Sequence, residues 1–361
     1  MTSASVAAPP RPRSRLSRTE AQWLVALAVT LGLVGLFQAI GRLEPAALEA
    51  SERFVRNPSE TATRFLAVAH TIVATAFLAT SRKIRRQRTA LALAGCAALA
   101  VAVCLVFERL GGLRAPAAGF LFYAYFVAHE LRDEGWLTLR NGDAGPAVPP
   151  TPPGAARVVA WAPALVAILV LVGAGAAGIA FGGAASKLEK YVAEVPSAHR
   201  TAGGGVVLAA AIVSILLVLR AAARADGTTI LGHLRRRRAR VFVTTGLLVV
   251  FVASVAWTGR LYLIVALHVV WWAIFSFDAI RRGPRPAAPA RPLTWAWVRT
   301  TPLGFTVFHG AVLLAVAGVG AAHALFARND PSWTFAALLS SREAFPYWTL
   351  AHVSLSWLPR P

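Results

Sequence analysis

Acidic residues are scarce in this chain, and cysteine and methionine are scarcer still. Its 361 residues hold 16 Asp and Glu against 37 Lys and Arg, with two Cys and one Met. Cys96 and Cys104 fall in one apolar run, eight residues apart. In a helix that is about 12 Å, too far for a disulfide, so they read as small packing residues. Several chemical signatures are also missing. There is no C-x-x-C, no G-x-x-x-x-G-K-[ST] and no G-x-S-x-G, which removes thiol redox, ATP hydrolysis and serine hydrolase chemistry in their usual forms. No H-x-x-x-H or H-x-x-H-H cluster exists, which speaks against the histidine-box desaturases and hydroxylases. No polar stretch is long enough for a sizeable domain outside a membrane.

Apolar sequence takes up most of the chain: 57% of residues are apolar and only 15% charged, with mean hydropathy +0.58. That composition describes a polytopic integral membrane protein. A net charge of +21 would suit nucleic acid, but the cations sit in short loops between apolar spans. There they set topology and meet anionic lipid headgroups, so the bilayer is the expected partner and nucleic acid is not.

In chain order, residues 1–20 read as a disordered basic cytoplasmic tail. Four spans fill 21–140: Ala21–Ile40, Arg64–Thr80, Ala90–Phe107 and a short one, Pro116–His129, that runs into HELRDE. Residues 141–156 form a Pro/Gly-rich cytoplasmic linker. Transmembrane helices five to ten occupy 157–361: Val158–Gly182, Val206–Ala223, Val241–Thr258, Leu261–Ile280, Gly304–Phe326 and the short Phe345–Leu358. The 41–63 loop suggests a surface amphipathic helix, LTWAWVRTTP an interfacial piece, and Gly178-xxx-Gly182 a close-packing face. With the N-terminus cytoplasmic, loops assigned inside carry 25 of the 37 Lys and Arg, as the positive-inside rule requires. Trp23, Trp136, Trp161, Trp257, Trp295 and Trp297 fall at span ends, where an aromatic belt is expected. The expected fold is thus an all-α bundle of about ten transmembrane helices in a cell membrane, a bacterial inner membrane by its features.

Depth then gives the histidines meaning. His70, His268 and His352 lie on three helices that run outside to inside, each about 10–12 Å below the outer boundary. Three imidazoles at one depth predict ligands for iron, copper, zinc or a haem. Trp271, Trp272 and Phe275 share the His268 helix face and would line the pocket. The bland reading is that membrane histidines only hydrogen-bond neighbouring helices. A second group, His129, Glu130, Asp133 and Glu134 with Asp278 and His309, is expected at the inner side. Glu130, Asp133 and Asp278 are its candidate proton relay. HELRD shares only half of the zinc-binding H-E-x-x-H helix, and a charged helix end at the headgroups is the plainer expectation for it. His199, His233 and His323 read as surface residues. The expected function is a membrane-embedded, histidine-ligated metal or haem enzyme acting on a lipid, isoprenoid or quinone. A transporter or permease and a non-catalytic assembly protein are the alternatives.

Overall fold

A computed structural model describes residues 16–43, 58–80, 87–112, 116–143, 153–181, 195–253, 262–283, 290–326, 339 and 344–357. Among these there are helices and turns and no strand. Twelve helices follow in order: α1 (Arg18–Leu43), α2 (Pro58–Ala79), α3 (Gln87–Arg109), α4 (Pro116–Arg140), α5 (Pro153–Phe181), α6 (Ser197–Ala225), α7 (Ile230–Arg236), α8 (Arg238–Ala253), α9 (Tyr262–Arg282), α10 (Trp295–Thr300), α11 (Pro302–Phe326) and α12 (Phe345–Ser356). Seven of them (α1, α2, α3, α5, α6, α9 and α11) are long and apolar enough to cross a membrane. This is the architecture of a helical membrane protein.

Helix α9 lies at the centre. Every residue from Ile264 to Trp271 is buried, which a helix achieves only when neighbours surround it on all sides. Leu267 and Ile264 of α9, Phe126 and Leu131 of α4, Val243 and Leu247 of α8, and Leu350 and Val353 of α12 belong to one core cluster. In lipid such packing is driven by close contact and by polar pairing rather than by escape from water.

Among the described residues, three expected spans are not long and apolar enough to cross a membrane. Helix α8 has 16 residues and α12 has 12. Helix α4 has 25, but its second half is too polar. It does not stop at His129: HELRDE continues it, and His129, Glu130, Asp133 and Glu134 are all buried. The expectation of a solvated, charged helix end fails there, because the side chains turn to facing helices, Glu130 toward His268 and Glu134 toward Thr244.

The start of α1 differs as well. Ser17 and Glu20 form a reciprocal capping box, Ser17 N–H donating to Glu20 Oε2 at 2.6 Å and Glu20 N–H to Ser17 Oγ at 3.2 Å. The helix therefore begins inside the stretch expected to be a tail. Helix α5 likewise starts at Pro153, before the expected end of the linker, with proline where a helix tolerates it. The short α10 matches the expected interfacial piece, capped by Thr294. The 41–63 amphipathic helix lies largely outside the described residues, as do Trp257 and Gly182.

Small residues seat two interfaces. A Cβ on Gly246 would lie 2.5 Å from the Trp23 ring, so α8 presses directly on that indole. Trp23 is accordingly buried in the core rather than set in a belt, whereas Trp161 is exposed. Between α5 and α6, Gly204 is the close contact, its added Cβ falling 2.7 Å from Ala176 O.

Polar contacts gather the helix ends. Thr19 N–H and hydroxyl both donate to Asp143 at 2.8 Å, and Asn141 donates to Gln22 at 2.8 Å. Arg238 reaches Glu20 at 3.0 Å, and Gln22 donates to Asp278 at 2.6 Å. The start of α1, the end of α4, the start of α8 and the end of α9 thus share one end of the bundle. Arg299 of α10 also ties to the end of α2, donating to Phe77 O and Thr80 O. Tyr347 and Glu108 join the start of α12 to the end of α3.

Candidate metal centre

Four helices each bring one histidine to the same place. His70 on α2 meets His268 on α9 with ring centroids 5.2 Å apart and His352 on α12 at 4.9 Å. His129 on α4 completes the group, 5.0 Å from His268 and 5.1 Å from His352. The three histidines singled out from sequence do converge. Potential ligand atoms of His70, His268 and His352 all lie within 4.8 Å of one another, and so do those of His129, Glu130 and His268.

The missed member is His129. Its apolar run ends there, whereas the helix carries on and leaves it mid-length. The signal was in the sequence: His129, Glu130 and Asp133 occupy more than one face of one turn, a poor pattern for a solvated helix end but a good one for a helix with several polar neighbours.

Polar contacts orient two of the four rings. His268 Nδ1 lies 2.7 Å from Glu130 Oε1. His129 Nδ1 is 2.9 Å from Ser356 Oγ and 3.5 Å from Asp133 Oδ1. A protonated Nδ1 held by an oxygen leaves Nε2 as the lone-pair nitrogen, the usual orientation of a metal-binding imidazole. His70 Nδ1 is buried with no hydrogen-bond partner. Helix α12, short as it is, is anchored to α4 by Tyr125 with Ser354 at 3.0 Å and by Arg132. Arg132 donates to Ser356 O and lies 4.9 Å from the Trp357 ring centroid. That clamp presents His352.

The aromatic lining divides. Trp272, one turn beyond His268, packs its ring 4.6 Å from His70. Trp271 sits in the core, and Phe275 meets Trp136 edge-on at 5.3 Å, further along α9 than His268. Phe126, not anticipated, lies 6.3 Å from His268. His309 stands behind Trp272 at 5.8 Å and bonds Phe305 O at 2.8 Å.

Among the expected relay acids, Glu130 and Asp133 reach the layer. Asp278 does not: it is ten residues, about 15 Å of helix, further along α9. It pairs there with Arg18 at 2.9 Å and with Arg282. Glu134 instead faces α8, accepting from Thr244 at 2.9 Å with Arg240 3.8 Å away. His233 is not a surface residue. It is buried beside Asp226, which also takes both arms of Arg237 at 2.9 and 3.0 Å. The Arg237 hydrogen bonds hold the Asp226 carboxyl below its ordinary range. His199 is exposed as expected. Cys96 and Cys104 are both free.

No protein-family model, curated protein or solved structure matches this chain. The functional reading therefore rests on these residues and their chemistry.

Proposed function

We propose that this helical membrane protein binds one transition-metal ion within the bilayer through His70, His268 and His352, and acts on a lipid-soluble substrate. The observation that carries the reading is the mutual 4.8 Å limit among their ligand atoms. An ion with metal–nitrogen bonds of about 2.0–2.1 Å needs its ligands about 3.3 Å apart, which moves each ring inward by less than about 1 Å. Neutral imidazoles suit zinc, copper or iron. A divalent charge in this dry layer needs balancing, and Glu130 and Asp133 supply two carboxylates beside it.

A haem fits less well than a bare ion. His70 touches His268, His352 and Trp272 edge-on at 4.6–5.2 Å. A macrocycle slid between two of these rings would displace the others.

When bound, the ion would supply Lewis-acid or redox chemistry. The chain's own residues hold and orient the imidazoles, exclude water with Phe126 and Trp272, and offer Glu130 and Asp133 as groups that can carry a proton. We place this layer in a ten-span topology with the N-terminus cytoplasmic, supported by the charge bias and by the helix ends gathered at one face.

Metal analysis of detergent-purified protein, beside His268→Ala and His352→Ala, tests the reading. About one equivalent of zinc, copper or iron per chain in the wild type, lost from both folded variants, is expected. A folded wild type that takes up none of the three metals refutes it.

A further inference from the structure

A second site lies on the other side of α4. Helices α5, α6, α7 and α8 wall a cavity of about 660 Å³, within the roughly 300–1,000 Å³ of ordinary ligand sites. Its walls are aliphatic, with Val166, Val170, Leu219 and Leu248 among them, and its polar edge carries Arg237 and Arg240. We propose that this cavity binds one anionic phospholipid, its acyl chains among the aliphatic walls and its phosphate on Arg240. The proposal rests on the protein being membrane-embedded, not on the metal.

Charge selects the headgroup. Across 153–181 and 197–253 the only acid is Asp226, against nine arginines. Asp226 is already used, since Arg237 grips it with two nitrogens. Arg240 is differently placed. Its nearest acid, Glu134, stands 3.8 Å away, and its Nε is buried with no hydrogen-bond partner. Its hydrogen bond to Ala160 O is long at 3.5 Å. A guanidinium with donors in reserve at an apolar cavity suits a phosphate, which it can bind with two parallel hydrogen bonds.

The surroundings agree. Arg157, Arg220, Arg224, Arg235 and Arg236 are exposed at the start of α5, the end of α6 and on α7. This end of the bundle is where the inward topology puts anionic headgroups. Between α5 and α6 the contact is close, Gly173 and Gly204 facing Ala211 and Ala176. The pair meets itself tightly and α8 less closely, which leaves the cavity between.

The test uses full-length protein in a neutral detergent, offered dioleoyl phosphatidylglycerol or dioleoyl phosphatidylcholine, with retained lipid counted by native mass spectrometry. Wild type should keep one phosphatidylglycerol per chain, at least about tenfold in preference to phosphatidylcholine, and Arg240→Gln should erase that preference. Val166→Trp, which fills the cavity from α5 and leaves Glu134 and Arg240 untouched, should lose both lipids and decides the matter should Arg240→Gln misfold. Metal content should stay at the wild-type value in both variants, which separates this site from the histidine layer. Equal retention of the two lipids by wild type, preference for free oleate, or unchanged phosphatidylglycerol adducts in Val166→Trp would overturn the proposal.

Discussion

Glu130→Gln is the substitution that most directly tests how the histidine layer works. Glu130 Oε1 lies 2.7 Å from His268 Nδ1, and both side chains are almost wholly buried, at 5% and 6% exposed. The amide keeps the shape and can still accept from Nδ1–H, so the ring should stay in place. What is removed is the charge, which makes the imidazole more basic and balances a bound cation. Partners of this kind are worth about 10–100-fold in metal affinity, or about 1.4–2.8 kcal/mol. Burial puts the expectation near the upper end, because no solvent screens the lost charge. The assay is competition for cobalt or zinc against a chromophoric chelator in detergent. Asp278→Asn serves as the control: its carboxylate is engaged with Arg18 and Arg282 about three turns away, and metal affinity should not change. If Glu130→Gln binds metal within about threefold of wild type while His268→Ala does not bind, the carboxylate has no part in the site and the charge-balance argument fails.

Gly246→Ala should destabilise the protein by about 1–3 kcal/mol, since its Cβ would meet the buried Trp23 ring at 2.5 Å; an unchanged thermal unfolding midpoint would contradict that packing. The Asp226 knot gives a pH dependence. Its carboxyl is depressed in the folded state by Arg237, so its stabilisation is full above the ordinary Asp value of about 3.9 and is lost as pH falls through the lower folded value. Protease sensitivity of the 226–237 segment should accordingly rise at acid pH in wild type, and already be high and pH-independent in Asp226→Asn. The topology is tested in a Cys96→Ala, Cys104→Ala background. Thr228→Cys and Arg281→Cys should label with an impermeant maleimide from the cytoplasmic side only, and Leu110→Cys from the opposite side only.

Much of this was legible from residue order. The apolar runs locate ten of the twelve helices, because a segment in lipid must satisfy its own backbone and can scarcely do otherwise than coil. His70, His268 and His352 were readable as a layer because each follows an outward helix end by a similar number of residues, and rise per residue converts that count to depth. Residue order misleads where apolarity and helicity part company. At HELRDE the apolar signal stops but the helix does not, so apolarity alone places His129 toward the inner face and outside the layer. At Trp23 position suggested a belt, but Gly246 opposite lets the indole sink into the core. His233 looked like a loop residue because Asp226 and Arg237, which bury it, lie seven residues before it and four after, brought round by the turn at Gly227, whose φ is +62.

Sequence alone determined the class of the molecule, the approximate bounds of its apolar helices, and three histidines that could share one layer, since each depends only on local composition and on the fixed rise of a helix. Which faces those helices turn to one another was decided by the tertiary structure. Five buried or half-buried polar residues on α4, Tyr125, His129, Glu130, Arg132 and Glu134, find partners on α8, α9 and α12 at once, and that requirement rotated the helix until His129 faced His268, Glu130 held His268, and Glu134 turned away toward Arg240. The histidine layer and the arginine-edged cavity are the two sides of that single orientation, which no linear pattern contains.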